Sequence, residues 1–310
     1  MIRVVGEERT ALSSRAALAS VALALTLLIA KSWAAAATGS TAMLGSLADT
    51  ALDVVASLIT LAGIRIAALP ADDDHRFGHG KAEALVAMAQ VVLIALSAVA
   101  IAWRGVDRLL NGVRTDAMGL GIGVSMFAIV ATVALLAYQR RVIARTGSVA
   151  IRADNVHYQS DLLLNSAVIA ALVLDQALGV YGADAAFGIA IAAWLLFGAW
   201  RASSEAIDQL MDREWPQGKR DDFLKAARDY PELAGLHDFR TRTSGAHDFA
   251  QFHVWVPEHW TVREAHDRMD RVEEALQKRF PGTEILIHLD PEGHTDRETI
   301  LPPDITESAR

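Results

Sequence analysis

The chain has 310 residues, no cysteine and a formal net charge of −8, and 52% of it is hydrophobic, with a mean hydropathy of +0.25. The missing thiols exclude disulfides and thiolate metal sites, and no basic tract suggests nucleic acid as a partner. Charge is unevenly spread: residues 1–212 hold 32 of the Asp, Glu, Lys and Arg side chains and residues 213–310 hold 34. This divides the chain into a membrane domain over 1–212, a soluble domain over 213–292 and a polar tail over 293–310.

Six apolar segments reach the roughly 20 residues that a bilayer requires. They lie near 13–36, 41–68, 83–110, 117–139, 149–174 and 184–206. The first is long, retains Lys31 and has no small-residue cleavage site after it, so it reads as a span and not as a signal peptide. Gly39 and Ser40, Pro70 to Gly80, Asn111 to Asp116, Arg140 to Gly147, and Gly179 to Asp184 punctuate the spans. The N-terminal arm carries Arg3, Arg9 and Arg15. The loops after spans two and four carry Arg76, Lys81, Arg140, Arg141, Arg145 and Arg152. Arg104, Arg108 and Arg114 oppose the trend, but the balance places both termini in the cytoplasm.

The soluble part reads as α-β-β-α-β. A helix covers 217–229, strands cover 235–243 and 248–256 around a turn at Ser244, Gly245 and Ala246, a helix covers 261–280, and a strand covers 284–290. Thr261 is an N-cap candidate with Glu264 three residues on. The fold expected is thus an α-helical membrane protein of six spans with a small α+β domain. No internal repeat is visible.

Two pairs of ionisable residues interrupt the spans: Asp49 with Asp53, and His157 with Asp161. Each pair is spaced i,i+4 and shares one helix face. An ionisable side chain at bilayer depth costs roughly 2.5–3.5 kcal/mol on insertion scales, which marks these positions as functional. Ser46, Asp49, Asp53, Ser57 and Thr60 form a polar seam on span two; Asp154, His157, Asp161 and Asn165 form another on span five. Asp154 falls near the predicted cytoplasmic end and reads as interfacial, outside the core site. Three carboxylates and one imidazole offer four tetrahedral ligands for an ion such as Zn2+. No lysine or arginine lies on either seam near the four residues, which argues against a structural ion-pair network. Such a site holds protons until a metal displaces them, which predicts metal–proton exchange. No Walker-type nucleotide motif is present.

Asp72, His75 and His79 in the loop after span two are spaced to wrap a second metal, or simply to build a turn beside Gly78 and Gly80. In the soluble part, His288 and Asp290 are i,i+2 on one strand and share a face.

Three stretches resemble the cation diffusion facilitator family, in its bacterial zinc and ferrous-iron efflux branch. They are Leu47-Ala48-Asp49-Thr50-Ala51-Leu52-Asp53, Pro70-Ala71-Asp72-Asp73-Asp74-His75-Arg76-Phe77-Gly78-His79-Gly80-Lys81-Ala82-Glu83 and His157-Tyr158-Gln159-Ser160-Asp161. The resemblance covers nearly the whole chain. It implies a homodimeric metal–proton antiporter in the bacterial inner membrane, embedded in the lipid bilayer, with a metallochaperone-like cytoplasmic domain. It places the transport site at Asp49, Asp53, His157 and Asp161, a combination associated with Zn2+ and Cd2+, and leaves Fe2+ open. It implies a second site at Asp72, His75 and His79, and a binuclear third site at His237, His253, His266, His288 and Asp290. Leu289 stands between the last two, where relatives often carry a polar residue. It also implies an ion pair of Lys81 with Asp212 near the membrane surface. His247, His259 and His294 match no motif. Two other functions compete: a membrane metal sensor or assembly protein without flux, and an intramembrane metallohydrolase. The second lacks the His-Glu-x-x-His signature.

Overall fold

The computed structural model describes residues 2–38, 41–111, 121–178 and 183–294. The predicted loops over 111–116 and 179–184 lie largely outside these residues, as does the tail beyond 294. The chain forms two compact units. One runs from Arg9 to Ile207; the other takes the residues from Asp208 onward together with the N-terminal stretch up to Glu8.

The first unit takes all but the outermost ends (residues 2–8 and 208–210) of six long helices: α1 (Ile2–Thr38), α2 (Thr41–Ala67), α3 (Ala82–Asn111), α4 (Gly121–Thr146), α5 (Val149–Leu178) and α6 (Ala183–Leu210). Five of them are long and apolar enough to cross a membrane. The exception is α5, which carries Arg152, Asp154, His157 and Asp161. α5 is therefore held by its neighbours more than by its own hydropathy, and it packs on α2, α3 and α4.

Packing follows the logic of a bilayer, where small residues let helices approach and large apolar ones face the lipid. Ala16, Ala17, Ala24, Ala84, Ala87, Ala98, Ala150 and Ala153 are buried, while Trp33, Leu52, Leu96, Trp103, Val130 and Trp200 point outward. Gly63 marks a close approach of α2 to α3: a Cβ there would lie 2.1 Å from Val86 Cγ2.

The fourth helix corrects one expectation. The sequence places a loop from Arg140, yet α4 continues to Thr146. Arg140 and Arg141 simply ride on the exposed side of the extended helix. Gly147 ends it with φ +68, a left-handed conformation that L side chains rarely adopt. Its amide donates to the Ile143 carbonyl at 2.8 Å, and Arg9 Nη2 donates to the Thr146 carbonyl at 2.8 Å. A cation thus sits at the helix C-terminus, where the dipole favours it.

The second unit contains α7 (Gln217–Ala227), a 3-10 turn at Pro231–Leu233, β1 (Leu236–Ser244), β2 (His247–Val256), α8 (Val262–Arg279) and β3 (Thr283–Pro291). The α-β-β-α-β order matches the sequence reading; only the 3-10 turn was not foreseen. The strand order is β1-β2-β3, with β1 antiparallel and β3 parallel to the central strand. Phe223, Phe239, Phe252, Val254, Met269, Val272, Leu276 and Ile285 form the core between the sheet and its helices. Thr261 caps α8 as expected: its hydroxyl accepts from the Glu264 amide at 3.2 Å, and Glu264 accepts the Thr261 amide at 2.9 Å. Such a cap stabilises a helix by about 1 kcal/mol.

Candidate metal centre

Part of the seam predicted on α2 faces the interior of the first unit. Ser57 and Thr60 are buried and Asp53 is half-buried. The side chain of Ser46 lies outside the described residues. Gln90 of α3 closes the inner part of the seam, donating to the Ala56 carbonyl and the Thr60 hydroxyl at 2.8 Å each.

Opposite Asp53, α5 presents His157 and Asp161. His157 Nε2 lies 3.3 Å from Asp53 Oδ1 and 3.9 Å from Asp161 Oδ2. One ligand atom from each of the three residues falls within 4.8 Å of the others. Tetrahedral zinc, with bonds of about 2.0–2.1 Å, holds its ligands roughly 3.3–3.5 Å apart, so small side-chain shifts close the site. His157 Nε2 and Asp161 Oδ2 are both sealed from solvent and, apart from these charge contacts, meet no hydrogen-bonding group. The arrangement is well suited to a cation that all three residues share. Asp49, one turn along α2, is exposed and is not in this group.

Asp154, which the sequence places near the cytoplasmic end of its span, is fully buried within the protein. Its Oδ2 accepts from Ser20 at 2.6 Å and from Gln139 at 2.7 Å, residues of α1 and α4 that the α5 pattern alone does not reveal. Gln139 in turn accepts from Asn155 at 2.9 Å. Tyr158 donates to the Ser20 carbonyl at 3.0 Å, which uses its one proton, so Ser57 is the donor in the 2.8 Å bond between their hydroxyls. This polar lattice ties α1, α2, α4 and α5 together directly beside the three-residue group.

A second residue was missed. Lys31 of α1 donates to the Thr50 hydroxyl at 2.6 Å, which brings a cation to α2 beside Asp49. The only sequence signal was a lysine retained inside an apolar run.

The loop residues Asp72, His75 and His79 also come together. Asp72 Oδ1 accepts the His75 amide at 2.6 Å and the Asp74 amide at 3.1 Å. The hydrogen bond from the His75 amide, aided by the His75 side chain, holds the Asp72 carboxyl below the usual carboxylate range. His79 Nδ1 lies 3.2 Å from the Pro70 carbonyl, which can only accept. Nδ1 therefore carries the hydrogen, and in the neutral ring Nε2 turns its lone pair toward Asp72 Oδ2, 3.3 Å away. Two acceptors facing each other suit a metal between them, and the cluster doubles as a turn.

In the second unit, strand register assembles the third group. His237 pairs with His253 across β1 and β2, and His253 pairs with His288 across β2 and β3. The three imidazoles therefore form one row across the sheet, on the face opposite the Phe252 and Val254 core. A bulge after His237 shifts the register before Arg240. Asp290, two residues beyond His288, is buried beneath the row. Its Oδ2 lies 2.9 Å from His253 Nδ1 and 3.3 Å from His237 Nε2, and its Oδ1 lies 3.4 Å from His288 Nε2. Burial opposes ionisation of Asp290, but the hydrogen bond and charge of His253, with His288 and His237, hold its carboxyl below the usual range. Leu289 alternates to the other side and packs on the core. His266 does not join the row. It is exposed on α8, 3.4 Å from Asp270, on the helix layer behind the sheet. Lys81 precedes α3, while Asp212 follows α6 with its carboxylate 3.6 Å from Arg242. Their pairing stays an inference from the resemblance.

Comparison with known proteins decides the family. The sequence model for the cation efflux transmembrane domain matches residues 17–211, and that for the cytoplasmic domain of cation efflux proteins matches residues 215–292. The chain belongs to the cation efflux family. Among relatives of this cation efflux protein, the cation-efflux pump FieF of Salmonella arizonae is 40% identical over 93% of this chain and 95% of its own. The pump of that name from Klebsiella pneumoniae is 41% identical over 90% of this chain and 93% of its own. A solved structure of the zinc form of the transporter CzrB is 32% identical, covering 28% of this chain and 99% of its own, with a TM-score of 0.25. The protein is a transporter of divalent metal cations and not an enzyme, as its motifs imply.

Proposed function

We propose that this transporter exports Zn2+, Cd2+ or Fe2+ in exchange for protons, with Asp53, His157 and Asp161 as the transport site and Asp49 as its fourth residue. The observation that supports the reading is the convergence of His157 Nε2, Asp161 Oδ2 and Asp53 Oδ1, two of them sealed from solvent and held by charge contacts alone. A divalent ion satisfies all three side chains at once. Protons satisfy them too, and metal binding displaces those protons. Competition for the same atoms is then the coupling. The metal enters from the cytoplasm, α2 and α5 rock with their neighbours to change access, and incoming protons release it outside.

Both termini lie in the cytoplasm, in keeping with the arginines of the N-terminal arm and the C-terminal end of α4. The working form is a homodimer. The histidine row with Asp290 binds metal and tightens the dimer, which links cytoplasmic metal to transport. The Asp72, His75 and His79 loop takes a further ion.

Proteoliposomes loaded with Zn2+ and diluted into zinc-free medium test the exchange. As Zn2+ leaves, protons should enter, and a lumenal dye should report acidification that tracks the metal lost. Zn2+ efflux with no change in lumenal pH would contradict proton exchange.

A further inference from the structure

The carboxylates of the transport site have a cationic neighbour that neither of their own helices supplies. Lys31 lies two turns before the end of α1, which runs on to Thr38. A lysine near a span's end ordinarily snorkels toward the interface. This one instead donates to Thr50 Oγ1 at 2.6 Å, and Thr50 is buried, with 1% exposed. Thr50 adjoins Asp49 and precedes Asp53 by three residues, so the ammonium is anchored on the turn of α2 that carries both.

We infer that Lys31 is a charge-balancing residue of the transport site, held by Thr50, whose fixed positive charge weakens divalent-cation binding enough to permit release. The inference rests on the reading of Asp53, His157 and Asp161 as the transport site. Counting Asp49 as the fourth residue of the proposed site, its three carboxylates exceed one divalent ion by a single negative charge, which the ammonium offsets. A loaded site that is neutral overall is the state best tolerated at low dielectric, where charge is poorly screened. The same ammonium repels the incoming ion. Affinity is thereby exchanged for turnover: a site of three bare carboxylates would hold its cargo too long. Arginine would keep the charge, while methionine keeps the length and removes it.

The test is initial-rate Zn2+ transport by the full-length protein in proteoliposomes; the other clusters are the same in every variant, so differences between variants report on the transport site. Lys31→Met is expected to lower the KM for Zn2+ and the maximal rate together, each by about tenfold or more, because one lost positive charge deepens binding of a divalent ion. Lys31→Arg should return KM toward the wild-type value. Thr50→Val keeps the lysine but removes its mooring, and should shift KM in the same direction by less. A wild-type or higher KM in both Lys31→Met and Thr50→Val overturns the proposal, whatever happens to the rate. Should Lys31→Met turn over too slowly to give a KM, its retention of radioactive Zn2+ after washing serves instead: retention longer than wild type is expected, and equal or shorter retention overturns the proposal. Asp161→Asn separates the two levels of inference. If it transports normally, the site assignment fails. If it is inactive while Lys31→Met keeps the wild-type KM, only the role of Lys31 fails.

Discussion

Asp161→Asn should abolish metal flux, by about 100-fold or more, while the protein still inserts, folds and dimerises. The substitution is isosteric and removes one negative ligand from a set of three whose atoms lie within 4.8 Å of one another. An amide oxygen is a far weaker ligand for a divalent ion than a carboxylate, and even loss of an outer partner lowers metal affinity 10- to 100-fold. Folding should not suffer, because Asp161 Oδ2 makes no hydrogen bond that the amide would break. Thermal unfolding in detergent should therefore match the wild type or exceed it. Flux above half the wild-type rate would remove Asp161 from the site. Loss of flux together with a collapse in melting temperature would show a structural role instead.

Gly63→Ala should be among the most destabilising single-methyl changes in the membrane unit. The added Cβ meets Val86 Cγ2 at 2.1 Å and Val86 Cβ at 2.8 Å, far inside van der Waals contact. Both atoms belong to a helix that cannot yield without losing its packing, and overpacking of this kind costs typically 1–3 kcal/mol. Because α2 carries Asp53, pushing it away from α3 also displaces the transport site, and flux should fall with stability. Val86→Ala removes the nearer atom, so the double variant should recover part of both losses. Thermal stability and transport of the four proteins of this cycle check the claim; a Gly63→Ala protein as stable as wild type would contradict it.

How much of this was legible from the chain alone depends on whether local spacing or distant packing decides each feature. The i,i+4 spacing of His157 with Asp161 dictates that both lie on one helix face, and the structure sets that face against Asp53. The α8 cap was readable because Thr261 and Glu264 are close in sequence. The hydrogen-bonded setting of Asp154 was not legible because its partners, Ser20 and Gln139, are 134 and 15 residues away, and period alone does not say which helices meet. Lys31 escaped for the same reason: its partner is on the next helix, and a seam-by-seam reading looks only at charges on the seam itself. The histidine row depends on β1 pairing through a bulge, a register no local pattern prescribes. The outward placement of His266 was available in principle. Ala265, Met269, Val272 and Leu276 mark the buried stripe of α8, and His266 lies off it.

The central claim is that one intramembrane cluster binds metal and protons in competition and so couples their movements. Metal uptake into proteoliposomes under an imposed pH gradient, with Asp53→Ala measured alongside wild type, tests it most directly. The account predicts uptake of Zn2+, Cd2+ or Fe2+ that rises with the gradient, vanishes when the gradient is collapsed and is absent in Asp53→Ala. Uptake indifferent to the gradient, or undiminished in Asp53→Ala, would contradict it.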